Sequence, residues 1–357
     1  MSKDIIRALA EIEKQKGIST EVLLEAIEAA LVSSYKKKFN TATNVRVEID
    51  RSNGNVKVFA VKMVVDEIID DRLDIHIDEA QKIQPDIQLD EELRIEVTPS
   101  DFGRLAARTA KTVVMQRIKE AERELIYEAY SDKEEEIVTG KVVGMDSGNI
   151  YISLDQTEAI LPLTEVPSRD RFKLGDVVTA YISRVETTSK GTQVYLSRIH
   201  PGHLKKLFET KIPEIYEGKV AIKSIAREAG SRSKVAVAAV APEVDAVAAC
   251  VGVKGAVIQS ITSGLNGEKV DIIKWSSNKN EYIANSLAPA RVVNTILLEA
   301  EEFEDDPVAH VIVPDDQLTL AIGQKGQNVR LAAKLTGYKI DIYSESQAHR
   351  LNLMAQH

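Results

Sequence analysis

Two stretches of the sequence decide the fold, Val251-Gly252-Val253-Lys254-Gly255 and, 71 residues later, Ile322-Gly323-Gln324-Lys325-Gly326. Each copy follows an apolar segment that begins with an aspartate and precedes a second, amphipathic segment. Each then leads to a strand-like Lys-x-Asp-Ile stretch, at residues 269–272 and 339–342. Because the flanks repeat together with the loops, the chain contains an internal repeat of a whole structural unit.

The chemistry of these loops favours phosphate binding. Glycine adopts the backbone angles of a tight helix–loop–helix turn at low cost, and it lets a sugar-phosphate backbone approach closely. The helix that starts at the loop presents unpaired N–H groups and a positive dipole end, to which Lys254 and Lys325 add charge. This arrangement is typical of a KH domain, whose GxxG loop clamps about four nucleotides. A duplicated turn without a ligand is the alternative, and neither copy matches a GxxxxGKS/T or GxGxxG phosphate loop.

Residues 136–198 change in character and predict a small barrel. Short alternating runs are separated by turn residues such as Asp146-Ser147-Gly148 and Lys190-Gly191. Five short strands in this length suit a Greek-key barrel of the OB type, although a barrel without a nucleic-acid function remains an alternative. The five runs are Ile137–Val143, Asn149–Leu154, Glu158–Leu161, Val177–Val185 and Gln193–Ser197.

The first 130 residues mix helices and strands. Residues 1–40 have apolar residues at helical spacing, and Gly17 divides them into two helices. Alternating residues around Asn53-Gly54 predict a hairpin, and a further strand is expected at Leu93–Val97. Residues 101–130 form a long helical pattern that ends in an acidic run, Asp132–Glu136, which we interpret as a domain boundary.

The charge distribution places any polyanion site in the last part of the chain. The 357 residues include 46 Lys and Arg against 55 Asp and Glu, a net charge of −9, which argues against a uniformly basic coat but not against local basic grooves. The net charge is −5 for residues 1–130, −3 for 131–200 and −1 for 201–357. Acidic repulsion of a polyanion is therefore weakest in the region that contains the repeat.

Cysteine content and hydropathy exclude other classes of protein. The single cysteine, Cys250, excludes an internal disulfide framework and a cysteine-cluster metal site, and its apolar surroundings predict a buried thiol. No secretory signal pattern is found at the N-terminus. The most apolar stretch, Val235 to Val253, is interrupted by Pro242, Glu243 and Asp245, so no membrane span is expected. We expect a soluble, cytoplasmic protein.

Several segments resemble the bacterial NusA family of transcription factors. IYEGKVAIKSIAREAG (215–230) and GEKVDIIKW (267–275) are similar to its first KH module, and DDQL (315–318), AIG (321–323) and GQNVRLAA (326–333) to its second. The order of parts is similar as well, and the resemblance covers nearly the whole chain. It implies a transcription elongation and termination factor whose N-terminal domain binds RNA polymerase near the RNA exit channel. Pausing, intrinsic termination and antitermination would be its targets.

The fold class that follows is a multidomain α+β protein with four domains. The expected parts are an N-terminal polymerase-binding domain (1–130), an OB-type barrel like that of ribosomal protein S1 (131–200), and two tandem KH domains of the prokaryotic type II (201–277 and 278–357). The resemblance implies RNA polymerase, single-stranded nascent RNA and other Nus-type antitermination factors as partners of a monomer. No enzyme activity, cofactor, metal or membrane association is expected.

Two features depart from the family pattern. The family usually has Pro and Gly where Ala246 and Ala248 stand, from which we expect only a small change in the helix start. Residues Val292–Ala300 have a helical pattern on their own, whereas the resemblance implies a strand there.

We expect the transcript to follow one continuous groove across both KH modules, with phosphates at the glycine loops and bases along the flanking helix and strand. Tyr151 should face away from the barrel core and offer a stacking surface, and Arg184 a phosphate contact. The candidate RNA-binding residues are Gly252, Val253, Lys254, Gly255, Gly323, Gln324, Lys325, Gly326, Arg232, Lys234, Gln259, Gln327, Asn328, Arg330, Tyr151 and Arg184.

Other clusters have less specific interpretations. Asp66 to Glu79 is rich in acidic residues, and alternation of Asp74, His76 and Asp78 predicts a solvated strand face rather than a metal site. Lys36–Lys38 suit the negative end of a helix dipole, with an RNA contact as the alternative. The acidic residues between Glu301 and Asp306 predict a solvated hairpin loop. A ribonuclease with KH and OB modules and a ribosome-associated factor are the rival functions.

Overall fold

A computed structural model describes residues 3–39, 43–188, 191–298 and 307–351. The acidic segment between Glu301 and Asp306 lies outside these described residues. The chain divides into two compact units that meet in the sequence at Ile126 and Tyr127. We describe each unit by itself.

The N-terminal unit packs helices against a sheet of four strands whose central strand is β2. Its elements are α1 (Lys3–Lys16), α2 (Thr20–Phe39), β1 (Val45–Ile49), β2 (Val56–Val65), β3 (Asp74–His76), α3 (Ile77–Ile83), β4 (Glu92–Glu96) and α4 (Phe102–Ser131). Strands β1 and β4 pair with β2 antiparallel, and β3 pairs with it parallel. Leu24 and Ile27 of α2 are fully buried in one core with Leu9 of α1 and Phe102 of α4. The two predicted helices, the hairpin, the further strand and the long helix are confirmed.

The acidic stretch 66–79 forms local structure instead of one strand face, which corrects the sequence-based expectation. Strand β3 ends at His76, and Asp78 lies in the first turn of α3, where its N–H donates to His76 Nδ1. The Asp74 carboxylate accepts from the N–H groups of Ile69 and Asp70. Among the described residues, no group of three or more His, Cys, Asp or Glu side chains is arranged to hold a metal ion.

The five expected strands of the barrel are confirmed, and they close in the order β5-β6-β7-β9-β8. They are β5 (Ile137–Met145), β6 (Asn149–Ser153), β7 (Glu158–Pro162), β8 (Val177–Thr188) and β9 (Gly191–Ser197). Alternate residues such as Ile150, Ile152 and Leu161 fill the interior. A Cβ atom at Gly140 would lie 2.5 Å from the backbone oxygen of Ser153, so this close strand crossing requires glycine.

Each repeat folds as two strands, a helix, the glycine loop, a second helix and a third strand. The first module contains α5 (Pro201–Lys211), α6 (Pro213–Tyr216), β10 (Val220–Glu228), β11 (Arg232–Ala239), α7 (Ala246–Val251), α8 (Ala256–Gly264) and β12 (Lys269–Lys274). The second contains α9 (Lys279–Ser286), β13 (Asn294–Leu297), β14 (Val308–Val313), α10 (Leu318–Ile322), α11 (Gln327–Thr336), β15 (Lys339–Ser344) and α12 (Glu345–Arg350). In both sheets the middle strand runs antiparallel to the first strand and parallel to the last.

Residues 294–297 form a strand, as the resemblance implied, and the helical pattern of this segment is misleading. Thr295 and Ile296 are buried, and the segment pairs with β14, so sheet packing overrides the local helical preference. Helix α7 starts at Ala246, where the Asp245 carboxylate accepts from the N–H groups of Val247 and Ala248. The helix start is therefore kept in spite of Ala246 and Ala248.

The two modules pack on each other through a shared apolar cluster. Ala226 and Ile273 of the first module meet Tyr282, Leu331 and Leu335 of the second. The Tyr282 hydroxyl donates to the carbonyl of Leu335 at 3.1 Å inside this contact. The interface is thus dry at its centre, which fixes the two sheets in one arrangement.

The barrel packs on the first module through a buried ion pair. Arg198, 5% exposed, donates to the Asp170 carboxylate at 2.6 Å and to the carbonyl of Gly264 in the first module at 3.4 Å. Asn266 donates to the other Asp170 oxygen at 2.6 Å. Arg198 is therefore a structural residue and not a surface for RNA. Tyr181 is likewise buried, and its ring stacks on His200.

One stretch, Ala246–Gly264, is long and apolar enough by length and composition to cross a membrane. It is not one continuous helix, because α7 and α8 are separated by the glycine loop, with φ of 72° at Gly252 and 51° at Lys254. The two helices have six and nine residues, whereas a span needs about 20.

Candidate nucleic-acid interface

The two glycine loops have the same backbone geometry. Gly252 adopts φ 72° and ψ 171°, and Gly323 adopts φ 76° and ψ 171°. The N–H of the last glycine donates to the carbonyl of the first at 3.1 Å in each loop. A Cβ atom at Gly252 would lie 2.4 Å from Val257 Cγ2, and one at Gly323 would lie 2.8 Å from the backbone nitrogen of Asn328. Glycine is therefore required at the first loop position for both its φ and its close contact with the next helix.

The lysine at the third loop position has an uncommon backbone conformation in both copies. Lys254 has φ 51° and ψ 26°, and Lys325 has φ 52° and ψ 32°, which is the left-handed region. This conformation costs an L-residue roughly 1–2 kcal/mol. Both side chains are exposed. Backbone strain of this kind clusters at ligand clamps, and its presence in both loops supports a binding role.

The helices that follow the loops start without a side-chain cap from any described residue. Helix α8 begins after Gly255 and α11 after Gly326, both in the left-handed conformation. Their first N–H groups lie next to the exposed lysines Lys254 and Lys325. Uncapped N–H groups and a helix dipole favour an anionic acceptor such as a phosphate oxygen.

The candidate residues on the strands of the first module are largely engaged within the protein. Arg232 donates to both oxygens of Asp271, at 2.7 and 2.9 Å. Lys234 is fully buried and donates to the carbonyl of Ala288 in the second module at 2.7 Å and to Asp271 at 3.3 Å. Burial lowers the pKa of Lys234 to about 8. Lys234 as an RNA contact is therefore corrected: it joins the two modules.

The candidate residues on α11 of the second module contact the first module. Gln327 donates to Glu228 at 2.7 Å and to Ser231 at 2.8 Å. Arg330 donates to Glu228 at 2.7 Å and to the carbonyl of Lys325 at 3.3 Å, so it also contacts the second glycine loop. The Arg330 guanidinium lowers the pKa of the Glu228 carboxyl. Gln259, at the position of the first repeat equivalent to Arg330, is exposed.

Asn328 is a second correction, because it is 2% exposed. Its Nδ2 group donates to the carbonyls of Ala321 and Leu287, at 2.9 and 3.0 Å. Since both partners are acceptors, the amide nitrogen must face them, and Oδ1 remains buried without a partner among the described residues. Asn328 supports the loop from behind and does not form part of an open surface.

On the barrel, Tyr151 and Arg184 remain at the surface. Tyr151 lies between the buried Ile150 and Ile152, and its hydroxyl donates to Asp146 at 2.7 Å. That carboxylate raises the pKa of Tyr151. The Arg184 guanidinium lies 4.2 Å from the centre of the Tyr195 ring and pairs with Glu186 at 2.9 Å. Stacking and phosphate contacts by these residues stay predictions.

Two cations that the sequence reasoning missed lie beside the second loop. A cleft of about 480 Å³ is lined by Arg169 of the barrel, Arg232 and Lys269 of the first module, and Gly323 and Gln324 of the second. The Lys-x-Asp-Ile motif in both repeats contained a signal for Lys269, since it begins with this lysine. No pattern in the sequence marks Arg169, whose position depends on how the barrel packs on the first module.

The other singled-out groups are structural. Lys38 at the end of α2 forms an ion pair with Asp101 and lies 5.2 Å from the centre of the Phe39 ring. Cys250 is buried, as predicted, and burial raises the pKa of its thiol to about 12. A thiol with such a pKa is unreactive at neutral pH.

Comparisons with known proteins agree with this architecture. Four family descriptions match in order: NusA N-terminal domain at residues 4–124, S1 RNA binding domain at 131–197, NusA-like first KH domain at 198–275 and NusA-like second KH domain at 279–350. The domain boundaries expected from the sequence stay predictions. The α+β class, the OB-type barrel and the tandem KH modules are confirmed.

Similar proteins cover almost the whole chain. Transcription termination/antitermination protein NusA of Halalkalibacterium halodurans is 54% identical over 99% of this chain and 91% of its own length. The protein of the same name in Bacillus subtilis is 53% identical over 99% of this chain and 94% of its own. The solution structure of the N-terminal domain of NusA from B. subtilis is 57% identical, with a TM-score of 0.33, over 34% of this chain and 99% of that domain. On the identity and coverage of these relatives, the chain belongs to the NusA family of transcription termination and antitermination proteins.

Proposed function

We propose that this protein binds RNA polymerase and the single-stranded nascent transcript, and so modulates pausing, intrinsic termination and antitermination. The observation that supports RNA binding most strongly is the repetition of one strained, exposed, lysine-bearing loop at the start of α8 and α11. Two such loops on modules that pack together can hold one strand at two points, which raises the effective concentration of the second contact.

The loops act on the transcript through its backbone. Phosphates meet the N–H groups at Gly252–Gly255 and Gly323–Gly326, and Lys254 and Lys325 add charge without a fixed geometry. Binding of this kind is weakly dependent on sequence, since the loops read phosphate and sugar. Tyr151 and Arg184 of the barrel extend the same strand by stacking and ion pairing.

Polymerase binding is assigned to the N-terminal unit. Exposed apolar side chains cluster there around an acidic segment: Met63, Ile68 and Leu73 are 39–48% exposed, and Ile69 is 95% exposed. A contiguous exposed apolar group with a charged rim is typical of a protein–protein contact. The other Nus-type factors are partners that the whole family implies.

Paired substitutions in the loops test RNA binding. Val253→Asp with Lys254→Asp, and Gln324→Asp with Lys325→Asp, place carboxylates where phosphates are expected. We expect each pair to weaken binding of a labelled single-stranded RNA at least tenfold and to leave the circular dichroism spectrum unchanged. Lys219→Asp, an exposed site of the first module outside the loop, is the matched control and should have little effect. Unchanged affinity in both pairs would remove the proposal.

Crosslinking of the full chain in cell extract tests the partner. We expect RNA polymerase to copurify and its crosslinks to fall within residues 1–130, and Ile69→Asp to reduce the yield severalfold. Copurification with ribosomal subunits in place of polymerase would favour the ribosome-associated alternative. Cleavage of RNA in the presence of a divalent metal would favour the ribonuclease.

A further inference from the structure

We propose that the cleft where the barrel and both KH modules meet binds a ribose-phosphate unit of the RNA strand, separately from the two glycine loops. The proposal rests on the proposed RNA-binding function and adds a subsite to it. The cleft has a volume of about 480 Å³, and the barrel contributes Arg169 to its wall. The barrel would thus contact RNA at this junction as well as through its own strands.

The cations in the cleft differ in how far they are already occupied. Arg169 donates one of its five N–H groups to the carbonyl of Gly267 at 3.2 Å, so most of its donors remain available. Lys269 is exposed at the start of β12 and has no ion pair within the described part of the chain. Arg232 is held in place by Asp271. One carboxylate, that of Asp316, also lines the cleft and accepts from Gln317 at 3.0 Å.

The walls of the cleft are fixed by contacts between the modules. Gln327 joins its second-module wall to Glu228 and Ser231 of the first module. Lys234 fixes Ala288, next to the lining residue Pro289, through a fully buried hydrogen bond. A site whose walls are held before the ligand arrives pays little to order them, which favours binding.

A buried acceptor without a partner is the second observation that indicates a ligand. Asn328 lines the cleft, and its Oδ1 atom has no hydrogen-bond partner among the described residues. A buried carbonyl oxygen without a donor costs about 1–3 kcal/mol, so the site gains from a ligand hydroxyl. The ribose 2′-hydroxyl is a donor that RNA has and DNA lacks. Cations for a phosphate beside an acceptor for a hydroxyl match one ribonucleotide.

The position of the cleft suits the nucleotides between the two loops. Gly323 and Gln324, the first two residues of the second loop, line it together with the first residues of β11 and β12, Arg232 and Lys269. A strand that leaves the second loop toward the first module would pass these cations. The subsite would therefore be filled only by RNA long enough to extend beyond one loop.

Affinities of the full chain for RNAs of two lengths test the subsite. Arg169→Gln and Lys269→Gln remove one cation each, and Lys173→Gln is the control, because Lys173 is an exposed lysine near Arg169 that does not line the cleft. For RNA of about 12 nucleotides, we expect each cleft variant to weaken binding about three- to tenfold. The salt slope should fall by about 0.7 for each phosphate that the variant no longer neutralises. RNA of about four nucleotides, enough for one loop, should bind all three variants as it binds the parent chain.

The nature of the ligand is tested by substituting the strand itself. A deoxyribose at the nucleotides between the loops should weaken binding to the parent chain, and this loss should be absent in Asn328→Leu. Long RNA that binds Arg169→Gln and Lys269→Gln with unchanged affinity and salt slope would overturn the subsite. Displacement of the RNA from the cleft by millimolar inorganic phosphate alone would also overturn it, as a site for free anions. Failure of the proposed function is distinct, since then the parent chain would not bind RNA of either length.

Discussion

The two glycine loops of this protein share a backbone but differ in what supports them. Their first glycines agree within 4° in φ, and their lysines within 6° in ψ. In the first module the helix after the loop continues with Val257 and Gln259, an apolar side chain and an exposed polar one. In the second module the same positions hold Asn328, which is buried, and Arg330, which reaches Glu228 of the first module.

The difference teaches that a sequence repeat conserves the turn but not the use of its side chains. The second module has a neighbour against α11, and polar residues that an isolated KH module could turn toward RNA become interdomain contacts there. Its loop is held from behind by Asn328 and from the side by Arg330, whereas the first loop has only apolar packing behind it. We therefore expect the second loop to be the more rigid of the two.

Alanine at the first glycine of each loop should have the largest effect and should separate the two supports. Both substitutions force an L-residue into the left-handed region, and both create a close contact. At Gly252 the closest atom belongs to the Val257 side chain, whereas at Gly323 the backbone nitrogen of Asn328 is as close as any side-chain atom. We expect Gly323→Ala to lower the free energy of unfolding by about 2–4 kcal/mol and Gly252→Ala by less, in denaturant titrations.

Gly218→Ala isolates the contribution of the backbone. Gly218 also has positive φ, 73°, but a Cβ atom there would meet nothing within 4 Å. Its substitution should cost only the strain of the left-handed conformation, about 1–2 kcal/mol. If Gly323→Ala cost no more than Gly218→Ala, the tight contact behind the second loop would not exist.

Much of the fold could be predicted from the sequence because its elements have strong local patterns. The five barrel strands alternate, the turn at Asn53-Gly54 is typical of a hairpin, and the repeat marks both glycine loops. The sequence reasoning failed where tertiary contacts decide. Residues 294–297 have a helical pattern but complete a sheet, and the acidic stretch around Asp74 is shaped by its own hydrogen bonds.

The candidate site was predictable at its loops and not at its edges. Lys254 and Lys325 lie where the motif places them. Lys234, Asn328 and Arg330 are polar residues near the motif, and only the packing of one module on the other shows that they hold the modules together. Arg169 lies about 80 residues before the first loop in the chain and reaches the second loop only through the folded barrel.

The strand positions beneath the two loops give a second way to sharpen the comparison. Lys234 faces Asp271 in the first sheet, and at the same register His310 faces Asp341 in the second. Burial lowers the pKa of Lys234 from its usual 10.5 to about 8, with Asp271 opposing the shift. Between pH 8 and 10.5 the unfolded chain therefore binds a proton that the folded chain does not. Stability should rise with pH in this window, by at most about 3 kcal/mol.

Lys234→Met removes this titration and serves as the reference. The free energy of unfolding of the parent chain minus that of Lys234→Met should increase from pH 8 to 10.5, while other lysines and tyrosines cancel in the difference. A flat difference would mean that Lys234 stays charged in the interface, paired with Asp271. In that case Lys234→Met should lower stability equally across the window.

Glu228→Gln should have the smallest effect and act on the second loop alone. Glu228 accepts from Gln327 and Arg330, and Arg330 also donates to the carbonyl of Lys325. Loss of the charge weakens a partly exposed ion pair, which contributes up to about 1 kcal/mol. Because Glu228 is held by Arg330 as a carboxylate with a lowered pKa, the parent chain should show the same change only in acid, as the carboxyl becomes protonated.

Hydrogen exchange resolves the two loops in one measurement. In Glu228→Gln we expect amides of residues 323–326 to exchange up to about fivefold faster, since roughly 1 kcal/mol of local stability is removed. Residues 252–255, which do not contact Glu228, should exchange as before. Glu217→Gln, which removes an exposed ion pair with Lys219 in the same module, is the control and should change neither loop. Equal acceleration of both loops would mean that Glu228 stabilises the whole tandem, and the greater rigidity of the second loop would then have to come from Asn328 alone.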